Sequence, residues 1–273
     1  MRVTGLITVV VAGLWFAGCH CATKPPEGAS QKPTPTAEQR EDALRDYAAR
    51  KHESQTQAQP QPRPTQAAPS PAVEKSETQA PPVPKPGQEV SLFDGKTLGQ
   101  WKATDFGGQG EVSVKDGAIH MAMGSYMTGI TWTGPVVRMN YEITLEAMRV
   151  EGNDFFCGLT FPVGDKPCTL ILGGWGGSLC GLSSIDHFDA SENSTTRMMS
   201  FETGKWYRVQ LRVVPNRIQA WLDDQDLVDL DTTDRVIGIR IEVESSQPLG
   251  VATWNTAGAV RNIQLKKLPD EVQ

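Results

Sequence analysis

The sequence predicts an all-β, antiparallel β-sandwich of the jelly-roll kind, carried behind an N-terminal leader and a Pro-rich tether. Three observations support this. Between Glu89 and Leu268 the apolar residues recur with a period of two, the mark of sheets with one face on a core. Turn signals break these runs into about a dozen short segments, as in a sandwich or jelly roll. Residues 24–88 hold too few large apolar side chains to build a core of their own, so one globular domain is expected.

The leader spans residues 1–18. Arg2 supplies one positive charge, and Val3 to Ala17 is almost wholly apolar. That run falls short of the roughly 20 residues that cross a bilayer and has the size of a signal-peptide core. It closes on Phe16-Ala17-Gly18-Cys19, which resembles the bacterial lipobox, with Phe16 where leucine is usual. On that reading Cys19 is the lipid-attachment residue, and the chain is anchored in the bacterial cell envelope, facing the periplasm or the cell surface. An ordinary secretory signal cut nearby is the other reading, and both export the chain.

Residues 19–88 form the expected disordered linker, rich in Pro, Gln and Ala, with runs such as Gln59-Pro60-Gln61-Pro62. A flexible coil of the Lys24–Gln88 length spans roughly 45 Å, and polyproline stiffening extends it. Residues 37–53 have helix-forming composition with a thin apolar face, so a transient helix is expected there.

The domain occupies residues 89–268, with a short tail at 269–273. Tyr141, Ile143, Leu145 and Ala147 alternate with polar neighbours, as do Val209, Leu211 and Val213, then Ile218, Ala220 and Leu222. The same alternation over Ile237, Ile239, Ile241 and Val243 predicts a further strand. Asp116-Gly117, Pro215-Asn216 and Asp223-Asp224 mark hairpin turns. Hairpins centred near 164–165 and 175–176 place Cys157 opposite Leu172 and Cys180 opposite Ile171. No two of Cys157, Cys168 and Cys180 then lie close enough for a disulfide, and all three read as small buried hydrophobes.

Charge narrows the partners. Residues 89–273 carry sixteen basic and twenty-four acidic side chains, a net of −8. Such a domain is ill suited to nucleic acid or anionic polysaccharide and compatible with neutral sugars.

The segments Leu92-Phe93-Asp94-Gly95-Lys96, Val114-Lys115-Asp116-Gly117, Tyr141 to Glu146 with Gly152-Asn153, Gly204-Lys205-Trp206-Tyr207, Asn216 to Asp223 and Val260 to Leu268 follow one another in order. In that order they resemble the 3-keto-disaccharide hydrolase domain family, whose members have a concanavalin A-like lectin/glucanase jelly roll. The chain departs from the family pattern at Asp154-Phe155 and across Cys168–Asn193. The resemblance implies a carbohydrate ligand or substrate and hydrolysis of glycosides, including 3-keto-glycosides. A non-catalytic glycan-binding or adhesion module is the alternative, and a structural envelope protein a third.

Within this frame Glu146, Asp154 and His187 are the acid/base candidates. Glu142 and Glu146 share a strand face but sit about 13 Å apart, too far to form a glycosidase pair. Glu146 and Asp154 at two ends of a hairpin, or Glu242 and Glu244 two apart on one strand, are the closer possibilities. The compact Glu-x-Asp-x-x-Glu of the superfamily's glucanases does not occur. A 3-keto group acidifies the adjacent C–H, however, so a single base suffices for elimination. Trp175, framed by Gly173-Gly174 and Gly176-Gly177, and Trp221 are candidate sugar-stacking residues, with Asp186 a further substrate-binding candidate. For each acidic candidate a solvated strand face is the competing reading. For His187 it is a loop histidine bonded to its neighbours, and for Trp175 a hairpin lid. The residues predict no metal site and no cofactor; calcium stays open, because acidic turns such as Asp223-Asp224 exist.

Overall fold

The computed structural model describes residues 83–270. The leader, Cys19, most of the tether and residues 271–273 lie outside the described residues. The strands run in the order β1 (Glu89–Ser91), β2 (Trp101–Ala103), β3 (Val112–Lys115), β4 (Ala118–Met121), β5 (Met127–Trp132), β6 (Tyr141–Gly152), β7 (Cys157–Val163) and β8 (Lys166–Gly173). They continue with β9 (Leu179–Ser183), β10 (Arg197–Met198), β11 (Trp206–Val214), β12 (Arg217–Leu222), β13 (Gln225–Asp231), β14 (Gly250–Trp254) and β15 (Thr256–Lys267). One helical turn (Gly174–Gly177) and one 3-10 helix (Ile241–Ser246) stand between strands. None of the described helices is long and apolar enough to cross a membrane.

Two antiparallel sheets face each other. The larger has the order β13-β12-β11-β6-β15-β4-β3, with β1 also on β15. The smaller has the order β10-β9-β8-β7-β14-β5-β2. On β6 the alternation buries Tyr141, Ile143, Leu145 and Ala147, which pack with Leu159, Phe161, Leu170 and Val251 of the facing sheet. Polar tips of buried rings are satisfied: the Tyr141 hydroxyl donates to the Pro162 carbonyl (2.6 Å) and the Trp101 indole N–H to that of Leu92 (2.9 Å). The hairpin turns fall where the sequence places them. Asp116 and Gly117 take φ of 52° and 75°, and Asp223 and Asp224 take 52° and 85°, the left-handed pairs that suit tight hairpins.

Three expectations change. The run Ile237–Val243 forms no strand. Ile237 makes a single bridge to Ile185, and the chain then turns into the 3-10 helix. Ile239 and Val243 pack on the outer face of the smaller sheet, while Ile241 is 68% exposed, so the segment covers that sheet rather than extending it. Glu242 is consequently buried against Arg240, while Glu244 is exposed, and they do not form a strand pair. Second, Cys180 lies opposite Leu172, one residue from its expected partner Ile171, because the helical turn takes up one more position. A one-residue slip exchanges sheet faces, and Cys180 therefore points into the core. Third, Glu146 and Asp154 are not two ends of a hairpin. β6 pairs with β11 and β15, and after Gly152 the chain crosses to the other sheet. Among the described residues Cys157, Cys168 and Cys180 are free and buried, with Cys157 opposite Leu172 as expected.

Candidate functional site

The crossing from β6 to β7 carries the site. Gly152 turns the chain at φ 96°, where a Cβ would meet the Asn255 carbonyl oxygen at 2.7 Å. Asp154 follows, and its backbone N–H donates to Thr256 Oγ1 (2.9 Å). Its carboxylate accepts the Phe155 N–H (2.7 Å) and, at 3.4 Å, the Gly176 N–H. That second donor comes from the Gly-Gly-Trp-Gly-Gly turn. Gly173, Trp175, Gly176 and Gly177 all have positive φ, at 76°, 48°, 90° and 107°. Glycine meets this demand at three places; Trp175 meets it as a bulky residue held in the left-handed region, a conformation that its surroundings must impose.

Trp175 is half-buried in a second apolar cluster on the outer face of the smaller sheet, with Phe106, Phe155, Ile171, Leu179 and Ala252. Tyr126 and Trp254 are half-buried in the same cluster, their rings 5.8 Å apart, and Phe155 lies 6.4 Å from Trp254. Half-buried rings clustered next to the turn that bonds Asp154 suit the apolar C–H faces of a sugar. Burial raises the pKa of Asp154 above the ordinary aspartate value, overcoming the N–H groups of Phe155, Gly176 and Trp175 and the positive charge of Arg149. A carboxyl shifted in this direction is better matched to proton transfer near neutral pH.

Asp154 and Trp175 are thus the two sequence candidates brought together. Asp186 and His187 share one turn, at φ 52° and 71°. The Asp186 carboxylate accepts Arg235 Nε (2.7 Å) and the Val236 N–H (2.8 Å), and the Val236 bond holds it below the ordinary aspartate range. His187 is exposed on that turn. Glu146 and Trp221 lie elsewhere, on the outer face of the larger sheet. Glu146 accepts Arg261 Nε (2.7 Å) and Asn262 Nδ2 (3.0 Å), and the Arg212 guanidinium sits 5.5 Å from the Trp221 ring centre. Burial raises the Glu146 pKa, but bonds from Asn262 and Arg261 outweigh it, and the net shift is downward, opposite to what a general acid needs. Glu146 and Asp154 share none of their recorded hydrogen-bond partners.

Sequence reasoning missed Tyr126 and Trp254, which sit just before β5 and at the end of β14 and meet because Trp254 pairs with Met127. It also missed the bridge in which Arg240 Nη1 binds Asp189 (2.5 Å) and its Nη2 binds Glu242 (2.8 Å). Asp223 and Asp224, the acidic turn that left calcium open, bond Arg208 through its backbone N–H and its guanidinium. Among the described residues no group of three or more acidic, His or Cys side chains is placed to hold a metal ion.

Among curated proteins, no sequence match to the chain was found. Solved structures with a similar fold include a carbohydrate binding module from Bacillus subtilis (12% identity, 61% of this chain and 95% of that one, TM-score 0.44). A Bacillus subtilis protein of unknown function with a galectin-like fold is similar at 10% identity, 66% and 94% coverage and TM-score 0.47. A Crh5 transglycosylase is similar at 10% identity, 70% and 90% coverage and TM-score 0.47. Nothing about ligand or reaction follows from likenesses of this size. The sequence is decisive on family: the 3-keto-alpha-glucoside-1,2-lyase-like domain matches residues 88–266, and the chain belongs to that family.

Proposed function

We propose that this is a carbohydrate-active protein working at the aromatic end of the smaller sheet's outer face, with Asp154 as the proton-transfer group and Trp175 as a stacking platform. The observation that carries the reading is the contact between Asp154 and the turn that presents Trp175: the Asp154 carboxylate accepts the Gly176 N–H. For a 3-keto-glycoside one base is enough. Asp154 removes the C2 proton, made acidic by the C3 carbonyl. The electron pair forms the C1=C2 bond, the C1–O bond breaks, and the leaving oxygen takes up a proton. Water adding across C1=C2 then completes net hydrolysis. Family membership supports this chemistry, and so does a carboxyl whose pKa lies above the usual range. The second reading is a glycan-binding module, supported by the same rings, Trp175, Tyr126 and Trp254, without need of proton transfer.

The test is turnover of 3-keto-glucosides by the purified chain, followed as enone absorbance and released alcohol by mass spectrometry. Asp154→Asn should abolish product, and Trp175→Ala should raise KM about tenfold or more, as loss of a stacking contact gives. Wild-type rates in Asp154→Asn would overturn the assignment; retention of sugar with no product would leave the binding module.

The leader and Cys19 support an anchored position in the cell envelope, with the tether giving reach from the membrane. Metabolic labelling with an alkynyl fatty acid should mark the wild-type chain and not Cys19→Ala; equal labelling of both would refute the anchor.

A further inference from the structure

We propose that Arg149 is a positioning residue of this site, holding from the buried side the turn that carries Trp175 and the chain at Asp154. The proposal rests on the reading of Asp154 and Trp175 given above.

β6 sends every second side chain inward, and after Tyr141, Ile143, Leu145 and Ala147 the next inward position holds arginine. Arg149 is only 6% exposed. A buried guanidinium is costly, and an apolar side chain of similar volume would fill the same space at lower cost, so packing alone does not account for it. Its Nη2 donates to the Gly177 carbonyl (2.8 Å) and more weakly to that of Asp154 (3.4 Å). Its guanidinium carbon lies 5.2 Å from the Phe156 ring centre and 5.7 Å from that of Phe201, within reach of cation–π attraction. Its Nε makes no hydrogen bond among the described residues.

The glycine pattern fits the same role. A Cβ on Gly173 would meet Arg149 Nη2 at 2.5 Å, and one on Gly177 would lie 3.5 Å from it. Nη2 of the guanidinium therefore occupies the space beneath both ends of the turn, and the left-handed Trp175 between them is held by its surroundings rather than by its own preference. The ionisable groups facing Arg149 are Asp154, Tyr207 and Cys180. Its charge favours the Asp154 carboxylate against burial, so losing it moves the acid limb of activity to higher pH.

Two variants separate the fork from the charge. Arg149→Met removes both; Arg149→Lys keeps a cation without the fork. Hydrogen exchange at the amides of residues 173–178 should rise about tenfold or more in both, as loss of a charge-assisted bond gives. The acid limb of kcat should move to higher pH in the Met variant and stay in place in the Lys variant. A folded Met variant with wild-type exchange in the turn and an unmoved acid limb would overturn the proposal. Should the Met variant fail to fold, unchanged exchange in the Lys variant does so alone. Should the wild type turn over no 3-keto-glycoside, the enzymatic reading fails, and the exchange measurement still decides the role of Arg149.

Discussion

Gly177→Ala puts the geometry of the Trp175 turn to a quantitative test. Gly177 sits at φ 107°, beyond the left-handed well that other residues visit, and its Cβ would come to 2.9 Å from the Asn153 carbonyl oxygen. The backbone term costs about 1–3 kcal/mol. The contact with Asn153 adds to it, because that carbonyl cannot retreat without moving Asp154 next to it, and a total of about 2–4 kcal/mol follows. For a domain of this size the expected fall in Tm is roughly 5–12 °C, read by calorimetry. Gly176→Ala is the control. Gly176 has φ 90° with nothing within 4 Å of its Cβ position, so only the backbone cost of about 1–2 kcal/mol applies. Sugar affinity should fall in step with stability for Gly177→Ala, since the displaced turn carries both Trp175 and the Gly176 donor to Asp154. A Gly177→Ala loss no larger than that of Gly176→Ala would refute the argument that the approach to Asn153 demands glycine.

Glu146→Gln should leave turnover intact and cost no more than about 1 kcal/mol at neutral pH, the range of partly exposed ion pairs. Its folded pKa is lowered, so this stability is present above the unfolded value and disappears as pH falls through the folded one; urea midpoints of variant and wild type should converge below about pH 4. Arg240→Met leaves the buried Glu242 without its cation and should cost about 3 kcal/mol. Adding Glu242→Met should recover most of that loss in the same urea titration, and a further loss would contradict the role given to the pair. The thiols of Cys157 and Cys168 are pushed up to about 12 and that of Cys180 to about 11, by burial first of all. A thiol reagent at pH 8 should leave all three unmodified in the native domain and modify them in urea; rapid native labelling would contradict their burial.

The fold was legible wherever one face of a strand is buried and a tight turn fixes the register. β6, β11 and β12 show this, and so does the β7–β8 hairpin that puts Cys157 opposite Leu172. Period two failed over Ile237–Val243 because alternation records which side chains need cover, not what they pair with. Ile239 and Val243 meet that need by lying across a sheet, and nothing in the pattern marked Ile241 as exposed. The position of Cys180 failed for a different reason. The register of β9 depends on how many residues the Gly-Gly-Trp-Gly-Gly turn consumes, and a glycine-rich turn leaves that number open.

The site was legible only as separate parts. Local composition singled out Trp175, because glycines flank it, and the family resemblance singled out Asp154, where the chain departs from the pattern after Gly152-Asn153. Neither carried a sign that the other was its neighbour. Their contact depends on β6 leaving one sheet and β7 entering the other, a long-range fact of topology. Glu146 illustrates the converse. Its spacing from Asp154 in sequence suggests proximity, yet β6 alternation turns Glu146 outward and Arg149 inward. On one strand, three residues apart, lie a solvent-side ion pair and the buried cation beneath the site. Sequence reasoning favoured the acid because acids do chemistry; burial makes the arginine the more informative of the two, since an unneeded charge is not kept where water cannot reach it.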